Sequence, residues 1–130
     1  MDRLASEVSE TFPLTPFAYW QRRVSFLCAD GTTVGTAWFR KTNVNDVDRG
    51  TVDAIKTALK LGYHHIDGAE FYNTENDIGA AIKESGIPRE KLFITSKVQQ
   101  NYANIPEAFD ASLKKLGLDY VDLSVILPCF

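Results

Sequence analysis

The sequence predicts an α/β fold in which parallel strands alternate with helices. Three helical segments, over 46–61, over 74–85 and from Pro106 onward, alternate with three short apolar segments. The connections are short, so each helix returns the chain to the same end of the sheet. This alternation fits either an open doubly wound sheet or part of a (β/α) barrel, and in both folds ligands gather at the carboxyl ends of the strands.

The N-terminal part of the chain shows little regular pattern. Residues 1–23 are rich in aromatic side chains, but Pro13 and Pro16 interrupt any regular element, which predicts an irregular arm. The segment 24–28 is strand-like, and Asp30-Gly31 is a hairpin turn signal. Few residues follow before Gly35, so the first strand of the main sheet is predicted to be unusually short.

The first helix is predicted over Asp46–Leu61. Val52, Ile55 and Leu59 recur at helical spacing and form its apolar face. Gly62 follows the helix and suits the left-handed conformation that ends many helices.

The second helix is predicted over Thr74–Ser85. Thr74 and Asp77 resemble a capping box, and Gly86 ends the helix. Its buried stripe is predicted to contain Ile78, Ala81 and Ile82.

The third helix begins at Pro106, which suits a first helical turn, and ends at Gly117. Its inner face is predicted to contain Phe109, Leu113 and Leu116. The strands between and after these helices are predicted over Tyr63–Ile66, Leu92–Ser96 and Val121–Leu127.

Three polar residues are predicted to meet at the carboxyl end of this sheet. Asp67 and Lys97 each follow a predicted strand, and Tyr72 lies on the loop after Asp67. Taken singly, these residues are most simply a helix-capping Asp, a solvated Lys and a packed Tyr. Because all three belong to one rim, proton-transfer chemistry is the favoured interpretation.

Composition restricts the class of protein. A chain of 130 residues with 45% hydrophobic and 24% charged residues suits one soluble globular domain. A net charge of −3 argues against a nucleic acid or an anionic membrane as partner. Cys28 and Cys129 have no metal-binding spacing, and no apolar segment has the length of a membrane span or a signal core. We therefore expect a cytoplasmic protein with reduced thiols.

Several familiar site motifs are missing from the sequence. It contains no G-x-G-x-x-G after a strand and no G-x-x-x-x-G-K-[ST] loop. His64 and His65 are adjacent, so on a strand they point to opposite faces, and no metal site is predicted. A glycosidase-like pair of Asp67 and Glu70, or an isomerase that uses Asp67 and Lys97, are weaker alternatives.

Five segments resemble the aldo-keto reductase family, in unbroken order from Gly35 to about Ile126. They read G-T-A-W at 35–38, G-Y-H-H-I-D-G-A-E-F-Y at 62–72, N-D-I-G-A-A-I-K-E-S-G-I-P-R-E at 76–90, L-F-I-T-S-K-V at 92–98, and A-S-L-K-K-L-G-L-D-Y-V-D-L at 111–123. The G-T-A-W-F-R-K segment is most similar to fungal-type ketoreductases.

The resemblance implies a (β/α)8 barrel that reduces an aldehyde or a ketone with NADPH, or with NADH. Residues 24–130 would form the N-terminal part of that barrel, about four strands and three helices. The family's catalytic residues correspond to Asp67, Tyr72 and Lys97. Cofactor contacts correspond to Thr36, Ala37 and Asp67, and substrate contacts to Trp38 and Tyr72.

The implied chemistry is physically consistent. Hydride transfer to the carbonyl carbon leaves an oxygen that needs a proton, and Tyr72 would supply it. The ammonium of Lys97 would favour the ionised phenol, and Asp67 would hold that ammonium by a charge-assisted hydrogen bond.

The sequence departs from the family in two respects that concern activity. Leu127 stands where the family's fourth strand usually ends in a His that orients the carbonyl, and a missing polar contact of that kind costs on the order of 10²–10³ in rate. A full barrel takes roughly 250 residues, so 130 residues correspond to its N-terminal half. We expect weak or absent reductase activity from this chain alone. The alternative is a non-catalytic half-barrel that associates through its open edges with itself or with a full-length relative.

Overall fold

The computed structural model describes residues 33–39, 46–99 and 102–126. The four strands are β1 Thr33–Gly35, β2 His65–Asp67, β3 Phe93–Val98 and β4 Leu123–Ile126. The three α-helices are α1 Arg49–Lys60, α2 Glu75–Ser85 and α3 Ile105–Leu116. Short 3₁₀ turns lie over Ala37–Phe39, Glu70–Tyr72, Arg89–Lys91 and Tyr102–Asn104. The predicted arm over 1–23, the strand over 24–28, the turn at Asp30-Gly31 and Leu127 lie outside the described residues.

The four strands form one parallel sheet in the order β1-β2-β3-β4. The predicted parallel α/β architecture is therefore confirmed. In doubly wound sheets the strand order reverses at a switch point. Here each strand lies beside the one before it, which is how a (β/α) barrel is wound.

The helices cover one face of this sheet and bury the apolar residues between them. Ile66 and Ile94 point to that face and pack against α1 and α2. The residues in this contact have little or no exposed surface. The predicted apolar faces of α1 and α2 are confirmed by the buried residues Val52, Ile55, Leu59, Ile78, Ala81 and Ile82. None of the helices formed by the described ranges is long and apolar enough to cross a membrane.

The inner face predicted for α3 is only partly correct. Leu116 is buried, but Phe109 and Leu113 are half-buried, and the buried residues beside Leu116 are Ala108 and Ser112. Small side chains face inward because α3 lies very close to α2. An added Cβ on Gly79 of α2 would stand 2.4 Å from the carbonyl oxygen of Leu116.

The predicted capping box at the start of α2 is wrong. Thr74 makes no capping hydrogen bond with its side chain, and its hydroxyl instead donates to Thr36 Oγ1 at 3.0 Å. Asp77 Oδ1 accepts a hydrogen bond from the backbone N–H of Asp48 at 2.8 Å, which ties the start of α2 to the start of α1. Both side chains therefore make contacts between segments that are distant in sequence, and sequence spacing does not encode such contacts.

Several predicted boundaries shift by a few residues. Helix α1 begins at Arg49, because Asp48 caps it by accepting hydrogen bonds from Gly50 N and Thr51 Oγ1. Strand β3 continues to Val98, so Lys97 lies within the strand and not beyond its end. The predicted helix ends are confirmed at Gly62, Gly86 and Gly117, which all have positive φ angles.

An ion pair joins the segments that precede β3 and β4. Arg89 donates to Asp122 Oδ2 at 2.7 Å, and its guanidinium lies 4.0 Å from the centroid of the Tyr120 ring. Asp122 Oδ2 also accepts from the backbone N–H of Ile94 at 2.8 Å. Burial alone would raise the pKa of Asp122, but the Ile94 hydrogen bond and then the Arg89 guanidinium outweigh it and hold that pKa below its ordinary value of 3.8.

We predict that Asp122→Asn lowers the free energy of unfolding by about 1–2 kcal/mol at neutral pH. A depressed pKa in the folded chain stabilises it above the unfolded value, and this stabilisation is lost as pH falls through the folded value. The difference between the wild type and Asp122→Asn should therefore shrink below about pH 4. Urea unfolding at several pH values measures it.

The control is Asp119→Asn, an exposed carboxylate in the same loop. It should change stability by less than about 0.5 kcal/mol at either pH. A difference for Asp122→Asn that stays constant from neutral pH to pH 2–3 would contradict the assignment.

Candidate functional site

The carboxyl ends of β2 and β3 bring Asp67 and Lys97 together. The side chains lie on the sheet face opposite the helices, on neighbouring strands. Lys97 Nζ lies 2.6 Å from both carboxylate oxygens of Asp67 and also donates to the carbonyl oxygen of Gly68 at 3.0 Å. The side chains are 14% and 24% exposed, respectively, so the ion pair is largely shielded yet reachable from the rim.

Tyr72 lies beside this pair. It ends the 3₁₀ turn over 70–72, and Asn73 follows in the left-handed conformation with φ of 55°. Lys97 Nζ lies 5.3 Å from the centroid of the Tyr72 ring. The structure thus brings together the three residues that the sequence assigns to catalysis, while their catalytic roles stay a prediction.

Thr36 and Thr74 hold the backbone of Asp67 in place through hydrogen bonds. The hydroxyl and the backbone N–H of Thr36 both donate to the carbonyl oxygen of Asp67, each at 3.0 Å, and the Thr74 hydroxyl donates to Thr36 Oγ1. Both threonines are fully buried. This hydrogen-bond chain joins the end of β1, the end of β2 and the start of α2.

The residues predicted to contact the cofactor differ in how well they fit it. Asp67 is partly exposed at the rim, and its oxygens keep lone pairs that can accept from the hydroxyl groups of a ribose. Ala37 lies two residues beyond the end of β1, half-buried at the start of the 3₁₀ turn over 37–39. Thr36 already uses its hydroxyl for Asp67 and Thr74. Trp38 belongs to the turn over 37–39, but its side chain lies outside the described part of the chain, so its substrate role stays a prediction.

A second polar layer lies directly below the Asp67–Lys97 pair. His65 precedes Asp67 by two residues on the same face, and its two ring nitrogens lie 2.8 Å from Thr33 Oγ1 and 2.9 Å from Thr95 Oγ1. The edge of its ring meets Phe93 with centroids 4.7 Å apart. His64, on the opposite face, is exposed.

The sequence reasoning missed this layer and the hydrogen bond between Thr36 and Thr74. A signal existed for the layer, because His65 and Thr95 are spaced by two residues from Asp67 and Lys97 and so share their face. No comparable signal marked the contact between Thr36 and Thr74, which are 38 positions apart. Within the described ranges, no group of three or more His, Cys, Asp or Glu side chains is placed to hold a metal ion.

Comparison with known proteins identifies the family. The model of the aldo/keto reductase family matches residues 32–126. The chain belongs to this family. The predicted resemblance is confirmed, and with it the partial (β/α) barrel, since the solved structures of the family share this part of the fold.

Individual aldo-keto reductases show how much of the family fold this chain covers. It is 53% identical over 93 residues to the NAD/NADP-dependent indole-3-acetaldehyde reductase of Schizosaccharomyces pombe, covering 72% of this chain and 32% of that protein. It is 56% identical over 71 residues to the glycerol 2-dehydrogenase (NADP(+)) of Saccharomyces cerevisiae, covering 54% of this chain and 23% of that protein. Both relatives are fungal, in agreement with the predicted similarity.

A solved structure gives the same result in three dimensions. MGS-M4, an aldo-keto reductase from a Medee basin deep-sea metagenome library, superposes with a TM-score of 0.58 at 45% identity, covering 68% of this chain and 32% of that one. The chain thus spans about a third or less of the length of these relatives.

We predict that Asp67 and Lys97 stabilise the fold as a coupled pair. In a double-mutant cycle with Asp67→Asn and Lys97→Met, the coupling energy should be about 1–3 kcal/mol, because the charges are close and largely shielded from water. Equilibrium unfolding of the wild type, both single variants and the double variant gives this quantity.

Arg49 and Asp53 form the matched control, an exposed pair on α1 at 3.9 Å. Their coupling should stay below about 0.5 kcal/mol. Equal coupling for the two pairs would contradict the shielded ion pair at the rim.

Proposed function

We propose that this chain carries the proton-donating part of an NAD(P)H-dependent reductase that converts an aldehyde or a ketone into an alcohol. The observation that supports this most directly is the cluster of Asp67, Lys97 and Tyr72 at one rim of a parallel sheet. A phenol beside a shielded ammonium suits proton donation to a newly formed alkoxide.

Each residue of the cluster has a distinct task. A nicotinamide cofactor, when bound, would supply the hydride for the carbonyl carbon. The Tyr72 O–H bond breaks as the substrate oxygen takes its proton, which leaves a phenolate. The ammonium of Lys97 stabilises that phenolate, and solvent later returns the proton.

Lys97 acts on Tyr72 through its charge in this arrangement. An ammonium has three N–H donors, and here they point to the two oxygens of Asp67 and to the carbonyl oxygen of Gly68. Asp67 therefore fixes the position of the ammonium. The positive charge still attracts the Tyr72 ring, whose centroid is 5.3 Å from Lys97 Nζ.

The relatives support a proposal for the substrate and the cofactor. The names of the two yeast relatives specify an aldehyde reductase that uses NAD or NADP and an NADP-dependent glycerol dehydrogenase. We infer a small carbonyl compound as substrate and NADPH as cofactor, with NADH as a second possibility. Asp67 would contact the cofactor ribose, and Trp38 would line the entrance for the substrate.

The activity of the 130-residue chain alone is a separate matter. It spans about a third of the S. pombe reductase, and a complete barrel takes roughly 250 residues. Position 127 is a leucine, which cannot donate a hydrogen bond to the carbonyl oxygen. We propose that turnover by this chain alone is weak or absent.

We predict that any turnover depends on Tyr72. The chain is incubated at high concentration with NADPH and a panel of activated aldehydes and keto esters, and the alcohol product is quantified by chromatography. Any product above the protein-free blank should form slowly and should disappear with Tyr72→Phe, because the phenol proton is then missing. Tyr63→Phe, a half-buried tyrosine away from the rim, is the control and should keep the wild-type rate.

The outcomes separate the two levels of the proposal. Equal rates for wild type and Tyr72→Phe would remove Tyr72 from the role of proton donor. Turnover of about 1–10³ s⁻¹ that is lost with Tyr72→Phe would keep the chemistry and contradict the expected weakness. No product from either chain would favour the second candidate.

The second candidate is a non-catalytic half-barrel that pairs with a second copy of itself. Among the described residues, β4 pairs with β3 alone, and its far edge has no partner strand. Phe93 and Leu123 lie on the inner face with 44% and 45% of their surface exposed. An open strand edge beside exposed apolar side chains favours association between chains.

We predict that the chain forms dimers at high concentration and that Leu123→Lys shifts it towards the monomer, because a charge on the inner face opposes burial there. Size-exclusion chromatography with light scattering measures the mass. Lys114→Glu, an exposed position on α3, is the control and should leave the mass unchanged. A wild-type chain that stays monomeric at the highest soluble concentration would contradict this candidate.

A further inference from the structure

We infer that Glu75 is a positioning residue that holds Lys97 and Tyr72 at their working distance. This inference rests on the proposed function, in which those two residues cooperate. Glu75 is the first residue of α2 and follows Tyr72 by three positions. Its carboxylate points away from the rim, towards the layer between the sheet and the helices, and is 1% exposed.

Glu75 is joined to the strand that carries Lys97. Its Oε1 accepts a hydrogen bond from Ser96 Oγ at 2.8 Å, and both side chains are buried. Ser96 and Lys97 are adjacent on β3, so they point to opposite faces of the sheet. Holding Ser96 on the helix side therefore fixes the direction in which Lys97 leaves the strand on the rim side.

The same hydrogen bond also fixes the far end of the Tyr72 loop. The loop over 68–74 begins at the end of β2 and ends where Glu75 starts α2. Ser96 is one residue from Lys97 and Glu75 is three from Tyr72, so the bond links the two segments that carry these residues. A second link, from the Gln99 N–H to Glu70 Oε2, is longer at 3.3 Å.

Helix α3 supports Glu75 from the other side. Lys115 Nζ lies 3.7 Å from Glu75 Oε2. This approach is possible because Gly79 has no side chain, which lets the last turn of α3 at Leu116 lie against α2. The ammonium partly offsets the cost of burying a carboxylate.

The burial of Glu75 is not explained by stability alone. Its Oε2 is buried and, apart from the long ion pair with Lys115, accepts no hydrogen bond from the described residues. A buried acceptor that lacks a hydrogen bond is destabilising. An apolar residue of similar volume would avoid that cost. A charged acceptor at this position is accounted for if Ser96 and the start of α2 must be held in a fixed relation.

The test compares two buried serines. Ser96→Ala removes the hydroxyl that binds Glu75, whereas Ser112→Ala removes a hydroxyl on α3 that has no hydrogen-bond partner among the described residues. The readouts on the full chain are the NMR cross-peak between Lys97 side-chain and Tyr72 ring protons, and the ¹⁵Nζ resonance of Lys97. Lys97→Met assigns that resonance, and circular dichroism gives the thermal midpoint.

We expect Ser96→Ala to lose the Lys97–Tyr72 cross-peak and to shift the Lys97 resonance, while Ser112→Ala keeps both. Glu75→Gln retains an oxygen that can accept from Ser96, so it should preserve the cross-peak that Glu75→Ala loses. If Glu75→Ala does not fold, Ser96→Ala decides.

A lowered thermal midpoint with an unchanged cross-peak and Lys97 resonance in Ser96→Ala would overturn the inference, because the bond would then serve stability alone. None of these readouts needs turnover. Failure of the positioning role is therefore distinguishable from failure of the proposed reductase chemistry.

Discussion

The ion pair between Lys97 and Asp67 is the interaction on which the rest of the site depends. It crosses from β3 to β2, and its two bonds of 2.6 Å require the parallel register that pairs Asp67 with Thr95. Shielded charges stabilise a fold only when their donors and acceptors are satisfied. The carbonyl oxygen of Gly68 accepts a hydrogen bond from the third ammonium N–H, so the pair meets this condition without any contribution from Tyr72.

The two faces of the sheet have different roles, one in the apolar core and the other in the candidate site. On the helix side, Ile66 and Ile94 are buried in the apolar core, which fixes the strands. On the inner side, His65 and Asp67 of β2 and Thr95 and Lys97 of β3 are polar and form the site. Because side chains on a strand alternate with a period of two, one set of short strands supplies both the core and the site.

The fold could be predicted because its signals are local. Helical spacing of Val52, Ile55 and Leu59 and the glycines after each helix depend on neighbours in sequence, and the structure confirms them. The buried face of α3 is only partly predictable from the sequence. Its close approach to Gly79 of α2 favours small inward residues, and this contact involves a different helix. The predicted cap at Thr74 is wrong because this hydroxyl also contacts a distant segment. It donates to Thr36, 38 positions away in the chain.

The candidate site likewise contains residues that the sequence can predict and residues that it cannot. Asp67 and Lys97 could be placed at one rim from strand order, and Tyr72 from its position on the loop after Asp67. The family motifs added the catalytic roles expected of all three. The residues that hold them, Thr36 and Glu75, could not be predicted from spacing. Their roles arise from hydrogen bonds between segments that meet only in the folded chain.

The layer below the ion pair has a consequence for the rigidity of the strands beneath Asp67. His65 is flanked by two threonine hydroxyls, and a hydroxyl can either donate or accept a hydrogen bond. A neutral imidazole donates from one nitrogen and accepts at the other, so Thr33 and Thr95 can satisfy the ring in either tautomer. The imidazole thus cross-links β1, β2 and β3 below the rim.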